Sequence, residues 1–158
     1  MISEVLNVSV AAEVRALFPA GVFGAPCTDL EIATAERALG HKLPPILQDL
    51  YRAFDGFIGP TGAQFLYPLL KTTDTMKTSL VEHTQFLRSE DYFPEFLQRS
   101  VAIGDTGIGP CWIIEIDRAE RILWWDAEWG DEYEVVPGTL IDAWHRASDE
   151  YARLLQRS

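Results

Sequence analysis

The sequence is poor in cysteine, histidine and positive charge, and each shortage removes a class of protein. Only two cysteines are present, Cys27 and Cys111, with no CxxC spacing. A disulfide framework or a zinc knuckle needs more than that. Both thiols are expected to be reduced and packed, the alternative being a bridge between them. The three histidines, His41, His83 and His145, are not spaced with another His, Cys or acid as metal ligands are. No metal and no cofactor are therefore expected, and His41, just after a helix-ending glycine, reads as a surface residue.

Thirteen Lys and Arg stand against 24 Asp and Glu, a net charge of −11. Such a surface repels nucleic acid and anionic lipid and attracts basic partners. No apolar run is long enough for a membrane. The uncharged stretch Ala16 to Thr28 holds two prolines and is far too short. The first nine residues carry Glu4 and no Lys or Arg, so the positive n-region of a signal peptide is missing. The expectation is a cytoplasmic protein. Low-complexity segments and internal repeats are also lacking, and the 158 residues suit a single domain, 1–158. A chain of this size buries roughly 70% of its unfolded surface and needs no staple.

What is present is uneven. Between Asp105 and Glu134 there are nine acids, namely Asp105, Glu115, Asp117, Glu120, Asp126, Glu128, Asp131, Glu132 and Glu134, against Arg118 and Arg121. Most of the charge imbalance thus sits in thirty residues. The last third of the chain also holds all five tryptophans, Trp112, Trp124, Trp125, Trp129 and Trp144.

The first part of the chain has helical periodicity. Leu6, Val10, Val14 and Leu17 form one stripe, which predicts a helix over Ser3 to Phe18 that Pro19 and Gly21 stop. Thr28-Asp-Leu-Glu31 is a capping box, followed by a stripe of Ile32, Ala35 and Leu39, with Gly40 to end the helix. Pro45 opens a third helix lined by Leu47, Leu50, Tyr51 and Phe54. Gly56 to Gly62 reads as a loop, Gln64 to Leu69 as a strand, Asp74 to Arg88 as a helix, and Pro94 to Gln98 as one helical turn.

The period then becomes extended. Val101 to Ile103 is a short strand, and Trp112 to Ile116 with Ile122 to Trp125 form a hairpin turning at Asp117 to Glu120. Ala127 to Asp131 is a turn, and Tyr133 to Val136 adds a strand. A last helix begins near Thr139, with Leu140, Trp144, Ala147, Tyr151 and Leu154 as its buried stripe. The predicted class is α+β: N-terminal helices packed on a largely antiparallel sheet of four to six strands, with a C-terminal helix.

Candidate catalytic features are weak. Gly104-Asp-Thr-Gly-Ile-Gly lacks the Lys-Ser/Thr ending of a phosphate loop and leads into a strand, so no helix N-terminus faces a ligand. Cys111 follows Pro110 and opens an apolar strand, which favours packing over thiol catalysis. The acidic segment could hold a carboxylate pair for hydrolysis, but no orienting histidine or metal pattern supports it. Adjacent Trp124 and Trp125 point to opposite faces of a strand, so one of them leaves the inner face unless both faces are covered. Trp112, Trp124 and Trp144 read as core. Trp129 lies in an acidic turn, where an aromatic ringed by charge is typical of an interface anchor. The expected partner-binding residues are Asp105, Glu120, Trp125, Asp126, Glu128, Trp129, Asp131 and Glu132.

Two stretches resemble one family. Leu30 to Gly56 carries Leu39-Gly40, Leu43-Pro44 and a final Asp55-Gly56. It resembles the helix–LG–x–x–LP–helix–NG signature of the SUKH superfamily, which groups yeast cell-wall regulators with bacterial immunity proteins; Asp55 stands where that family commonly has Asn. Val101 to Asp117, with its Ile-Gly and later Gly-Ile-Gly, and Arg121-Ile-Leu-Trp-Trp-Asp126 are similar to the family's glycine hairpin and W–D strand. Pro110 departs from the usual Asp. The resemblance covers most of residues 28 to 156. It implies protein binding without cofactor or catalytic residues. In the bacterial branch it implies an immunity protein that neutralises a cognate toxin domain, expected here to be a basic protein acting on nucleic acid. The alternatives are a regulatory module binding a small ligand or a partner, and a carboxylate-dependent hydrolase.

Overall fold

The structure is a computed structural model that describes residues 9–157, with the backbone alone at 119 and 120. Leu6 of the predicted first stripe lies outside the described residues. Helix α1 spans Val10–Leu17 and is capped by Ser9, whose side chain accepts from the Ala12 N–H. Val14 is fully buried, but Leu17 is 36% exposed, and Phe18 takes the inward place just past the helix. The stripe therefore ends one residue later than its spacing predicts, because Phe18 leaves helical geometry as it turns into the core.

Helix α2, Asp29–Leu39, starts with the predicted capping box and ends at Gly40 in the left-handed region, φ +85°. Helix α3, Pro45–Ala53, has proline in its first turn. Glu36 ties the two together, accepting from the Leu43 N–H at 2.7 Å and from the Gln48 side chain at 3.2 Å.

Three short strands form a first antiparallel sheet in the order β1 (Val22–Phe23), β2 (Phe57–Ile58), β3 (Gln64–Leu66). The glycine-rich sequence around β1 and β2 reads as loop, because strands of two residues are too short to show alternation. Helix α4 runs from Leu80 to Ser89, not from Asp74. Residues before it are held extended by Gln64, which accepts from the Lys77 and Thr78 N–H groups and donates to the Thr78 carbonyl. Ser79 then caps the helix, its side chain accepting from the Glu82 N–H.

A 3-10 turn over Glu95–Arg99 leads into the second antiparallel sheet. Its order is β4 (Ser100–Asp105), β5 (Cys111–Glu115), β6 (Arg118–Trp125), β7 (Glu134–Val136). The hairpin forms as predicted, with Trp112 opposite Trp124. The Tyr67 N–H donates to the Ile103 carbonyl at 2.7 Å and joins the two sheets. Gly104 sits at this junction, where an added Cβ would lie 1.9 Å from the Phe65 carbonyl oxygen. Helix α5, Leu140–Gln156, opens with a second capping box, Thr139 with Asp142.

Both faces of the second sheet are covered. On one, Trp112 and Trp144 meet Phe65 and Phe57 edge-on, with centroids 5.2 and 5.0 Å apart. On the other, the turn after α4 and the 3-10 turn supply Phe93 and Phe96 against Trp125. Apolar burial on both sides is the main force holding these layers. His41 is not the plain surface residue expected from sequence. Its ring nitrogen lies 2.6 Å from the Arg88 guanidinium, which also donates to the Leu39 and Ser100 carbonyls.

Candidate partner-binding surface

The acidic segment becomes a surface because one tryptophan is buried beneath it. Trp125, expected to face a partner, is 2% exposed and cannot. Its ring packs edge-on against Phe93 and Phe96, and its indole N–H donates to the Gly130 carbonyl at 2.8 Å. The expectation fails because the second face of the sheet is covered, a tertiary fact. Trp124 is half-buried on the other face, tilted against Trp112 at 5.2 Å.

Trp125 pins a turn. Asp126 caps a 3-10 turn over Ala127–Trp129, accepting from the Glu128 N–H at 2.9 Å. The Trp129 N–H donates to the Asp126 carbonyl, and the Glu132 N–H to the Trp129 carbonyl. Gly130 takes φ +62°, which lets the chain reverse there. The turn presents Glu128, Asp131 and Glu132 to solvent, with Trp129 36% exposed among them. Asp126 is half-buried. The Glu120 side chain lies outside the described residues.

Asp105 closes strand β4. One carboxylate oxygen accepts from the Tyr67 hydroxyl at 2.6 Å and the other from the Gly107 N–H at 2.8 Å. Both oxygens are thus committed to the fold. These bonds give it a shaping role in the loop before β5, where it pairs with Cys111, itself opposite Trp125.

Sequence reasoning missed a second stretch. Glu90, Asp91, Tyr92 and Glu95 line, together with Asp131, a shallow hollow of about 400 Å³. Tyr92 is 74% exposed, its ring tilted against Phe93 at 4.6 Å. The signal is legible in Ser89-Glu-Asp-Tyr-Phe-Pro-Glu95, three acids and two aromatics in one short run. Its place beside Asp131, about forty residues on, is not readable without the fold. Phe93, locked against Trp125, brings the two stretches together.

Little positive charge opposes this surface. Arg121 pairs with Glu115 at 2.7 Å, donates to the Tyr133 hydroxyl at 2.8 Å and lies over the Tyr133 ring. That guanidinium is spent within the sheet. The carboxylates of the turn remain free to act at range.

Nothing nearby is tuned for nucleophilic chemistry. Cys27 and Cys111 are free and buried. Burial, with the Asp105 and Asp126 charges behind it, pushes the Cys111 thiol up to about 12, and burial followed by the Asp55 charge raises Cys27 as well. Neither is an activated thiolate. Burial also lowers His83, a trend the Asp105 charge opposes. Among the described residues, no group of three or more His, Cys, Asp or Glu could hold a metal ion. No described helix is long and apolar enough to cross a membrane.

Comparison with known proteins adds the family. Residues 26–142 match the SMI1 / KNR4 family (SUKH-1). No relative among curated proteins matches the sequence. That stretch takes in α2 to α4, β2 to β7 and the start of α5, and the family's members are typically non-catalytic. With most of its length matched in this way, the chain belongs to the SMI1 / KNR4 family (SUKH-1).

Proposed function

We propose that this chain is an immunity-type protein that binds and neutralises a cognate toxin domain by direct contact in the cytoplasm. The toxin is a basic protein that acts on nucleic acid. Family membership supports a protein–protein-binding module. The observation that carries the finer reading is the joined acidic surface of Glu90, Asp91, Glu95, Glu128, Asp131 and Glu132, with Trp129 and Tyr92 exposed within it. A nuclease or a deaminase acting on nucleic acid presents a positive substrate groove. A carboxylate surface opposes that charge, and two exposed aromatics supply apolar contact inside it.

The roles divide by physics. Carboxylates at a rim chiefly speed encounter, while desolvated aromatics slow departure. The test is binding kinetics against the cognate toxin domain. Replacing Glu128, Asp131 and Glu132 with Lys slows association roughly tenfold or more at low salt. Trp129→Ala leaves association nearly unchanged and speeds dissociation, costing about 2 kcal/mol as a hot spot. Wild-type kinetics and full protection of cells by both variants would overturn this reading.

A further inference from the structure

Two tyrosines stand on one buried tryptophan. Trp125 packs edge-on against both Phe96 and Phe93. Phe96 in turn carries the Tyr133 ring at 5.0 Å, and Phe93 carries the Tyr92 ring at 4.6 Å. The Tyr133 branch already holds a guanidinium. Arg121 pairs with Glu115 at 2.7 Å, donates to the Tyr133 hydroxyl at 2.8 Å and lies over the Tyr133 ring, 5.4 Å from its centre. A carboxylate, a hydroxyl oxygen and an aromatic face thus meet one planar cation together.

The Tyr92 branch has the same kinds of group without an internal cation. Tyr92 is far more exposed than Tyr133, and it lines the shallow hollow with Glu90, Asp91, Glu95 and Asp131. No Lys or Arg lines that hollow among the described residues. None of the four carboxylates enters an ion pair among the described residues either. Gln98 closes one side, its amide N–H donating to the Arg88 carbonyl at 2.8 Å, which leaves the amide oxygen as an acceptor. Four carboxylates alone would draw any cation. The exposed ring beside them is what can tell one cation from another.

We propose that the Tyr92 hollow is an arginine seat, which takes the guanidinium of an arginine on the partner protein in preference to a lysine ammonium. The inference rests on the reading of the acidic surface as the face that meets a basic partner, and it names the side chain that face selects. A guanidinium is planar and weakly hydrated. It can lie flat on the Tyr92 ring while its edge gives paired N–H bonds to a carboxylate. An ammonium is compact and strongly hydrated, so it gains from the carboxylates but less from the ring. Arg121 on Tyr133 shows the same arrangement made within the chain.

The probes are two blocked decapeptides, one alternating glycine with arginine and the other glycine with lysine. Each is titrated into the full chain at about 0.15 M ionic strength, where charges act over roughly 8 Å. The arginine peptide should bind roughly threefold or more tighter than the lysine peptide and shift the amide resonances of Glu90 to Glu95. Tyr92→Phe keeps the ring and should keep that preference. Tyr92→Leu removes the ring and should bring the ratio close to one, with the lysine peptide little changed. Asp91→Asn with Glu95→Gln should weaken both peptides alike. All three positions are exposed, so melting curves stay close to that of the parent. Equal affinity for the two peptides, a preference that survives Tyr92→Leu, or no binding of either would overturn the arginine seat. Equal affinity would do so while leaving a basic partner in place, and toxin binding itself is decided by the kinetic test.

Discussion

The Tyr67 hydroxyl donates to Asp105 at 2.6 Å, from β3's end to β4's end, and closes the seam between the two sheets. Tyr67 is almost fully buried, and that burial, followed by the Asp105 charge, raises its phenol well above the usual range. Tyr67→Phe removes the donor and leaves a half-buried carboxylate oxygen unpaired. The expected cost is about 1–3 kcal/mol in urea unfolding. The same variant should bind the proposed toxin as the parent does when Asp105 serves the fold alone. A large loss of affinity at unchanged stability would return Asp105 to the interface.

Phe18 and Leu17 are neighbours with opposite fates. Phe18 is 4% exposed and packs on Phe57 and Phe65, at 5.4 and 5.8 Å. Phe18→Ala should cost about 3–5 kcal/mol. Leu17→Ala, at a position 36% exposed, should cost well under about 1 kcal/mol of the burial energy a core leucine carries. Thermal unfolding of both variants checks the contrast, and equal losses would contradict the docking of α1.

Asp55 links three segments. Its carboxylate accepts from the Leu69 N–H at 2.6 Å and from the Cys27 thiol, and its N–H donates to Ala25. Burial is the largest influence and holds the carboxyl above its usual range, against the two hydrogen bonds that lower it. A raised carboxyl binds its proton more readily folded than unfolded. Its contribution to stability is therefore full below the unfolded value and lost as pH rises through the folded one. Asp55→Asn keeps an oxygen for Leu69 and removes the buried charge. The variant should match or exceed the parent in melting temperature at neutral pH, with that advantage shrinking as the pH falls and the parent's carboxylate takes up its proton. A difference that does not change with pH would refute this account.

Gly104→Ala tests the seam directly. The new Cβ would overlap backbone of β3 rather than a movable side chain. The expected loss is at or beyond the upper end of the roughly 1–3 kcal/mol typical of overpacking. Gly40→Ala meets no neighbouring atom and is penalised through its positive φ alone. Recovery of Gly104→Ala at wild-type stability would show that the sheets do not approach so closely.

Salt separates steering from contact at the acidic turn. Between about 0.01 and 0.15 M ionic strength the screening length falls from roughly 30 to 8 Å. Association of the parent with the proposed toxin should slow steeply over that range, while dissociation should change little. Stopped-flow mixing at several salt concentrations measures both, and a flat association rate would leave the charge without a role.

Helices announce themselves in this sequence through local causes. Thr28 with Glu31, Thr139 with Asp142, and Pro45 in a first turn all act within one turn of chain, so their caps are readable from spacing. The hairpin of Trp112 and Trp124 is legible for the same reason, since the pairing joins segments close in sequence. Charge clustering between Asp105 and Glu134 is likewise a property of composition. What the sequence could not determine depends on contacts across distance. The start of α4 waits on Gln64, the burial of Trp125 on Phe93 and Phe96, and the joining of Asp131 to Glu90 and Asp91 on both. Periodicity records that a residue prefers one face, but only the packed layers decide whether that face meets core, partner or water.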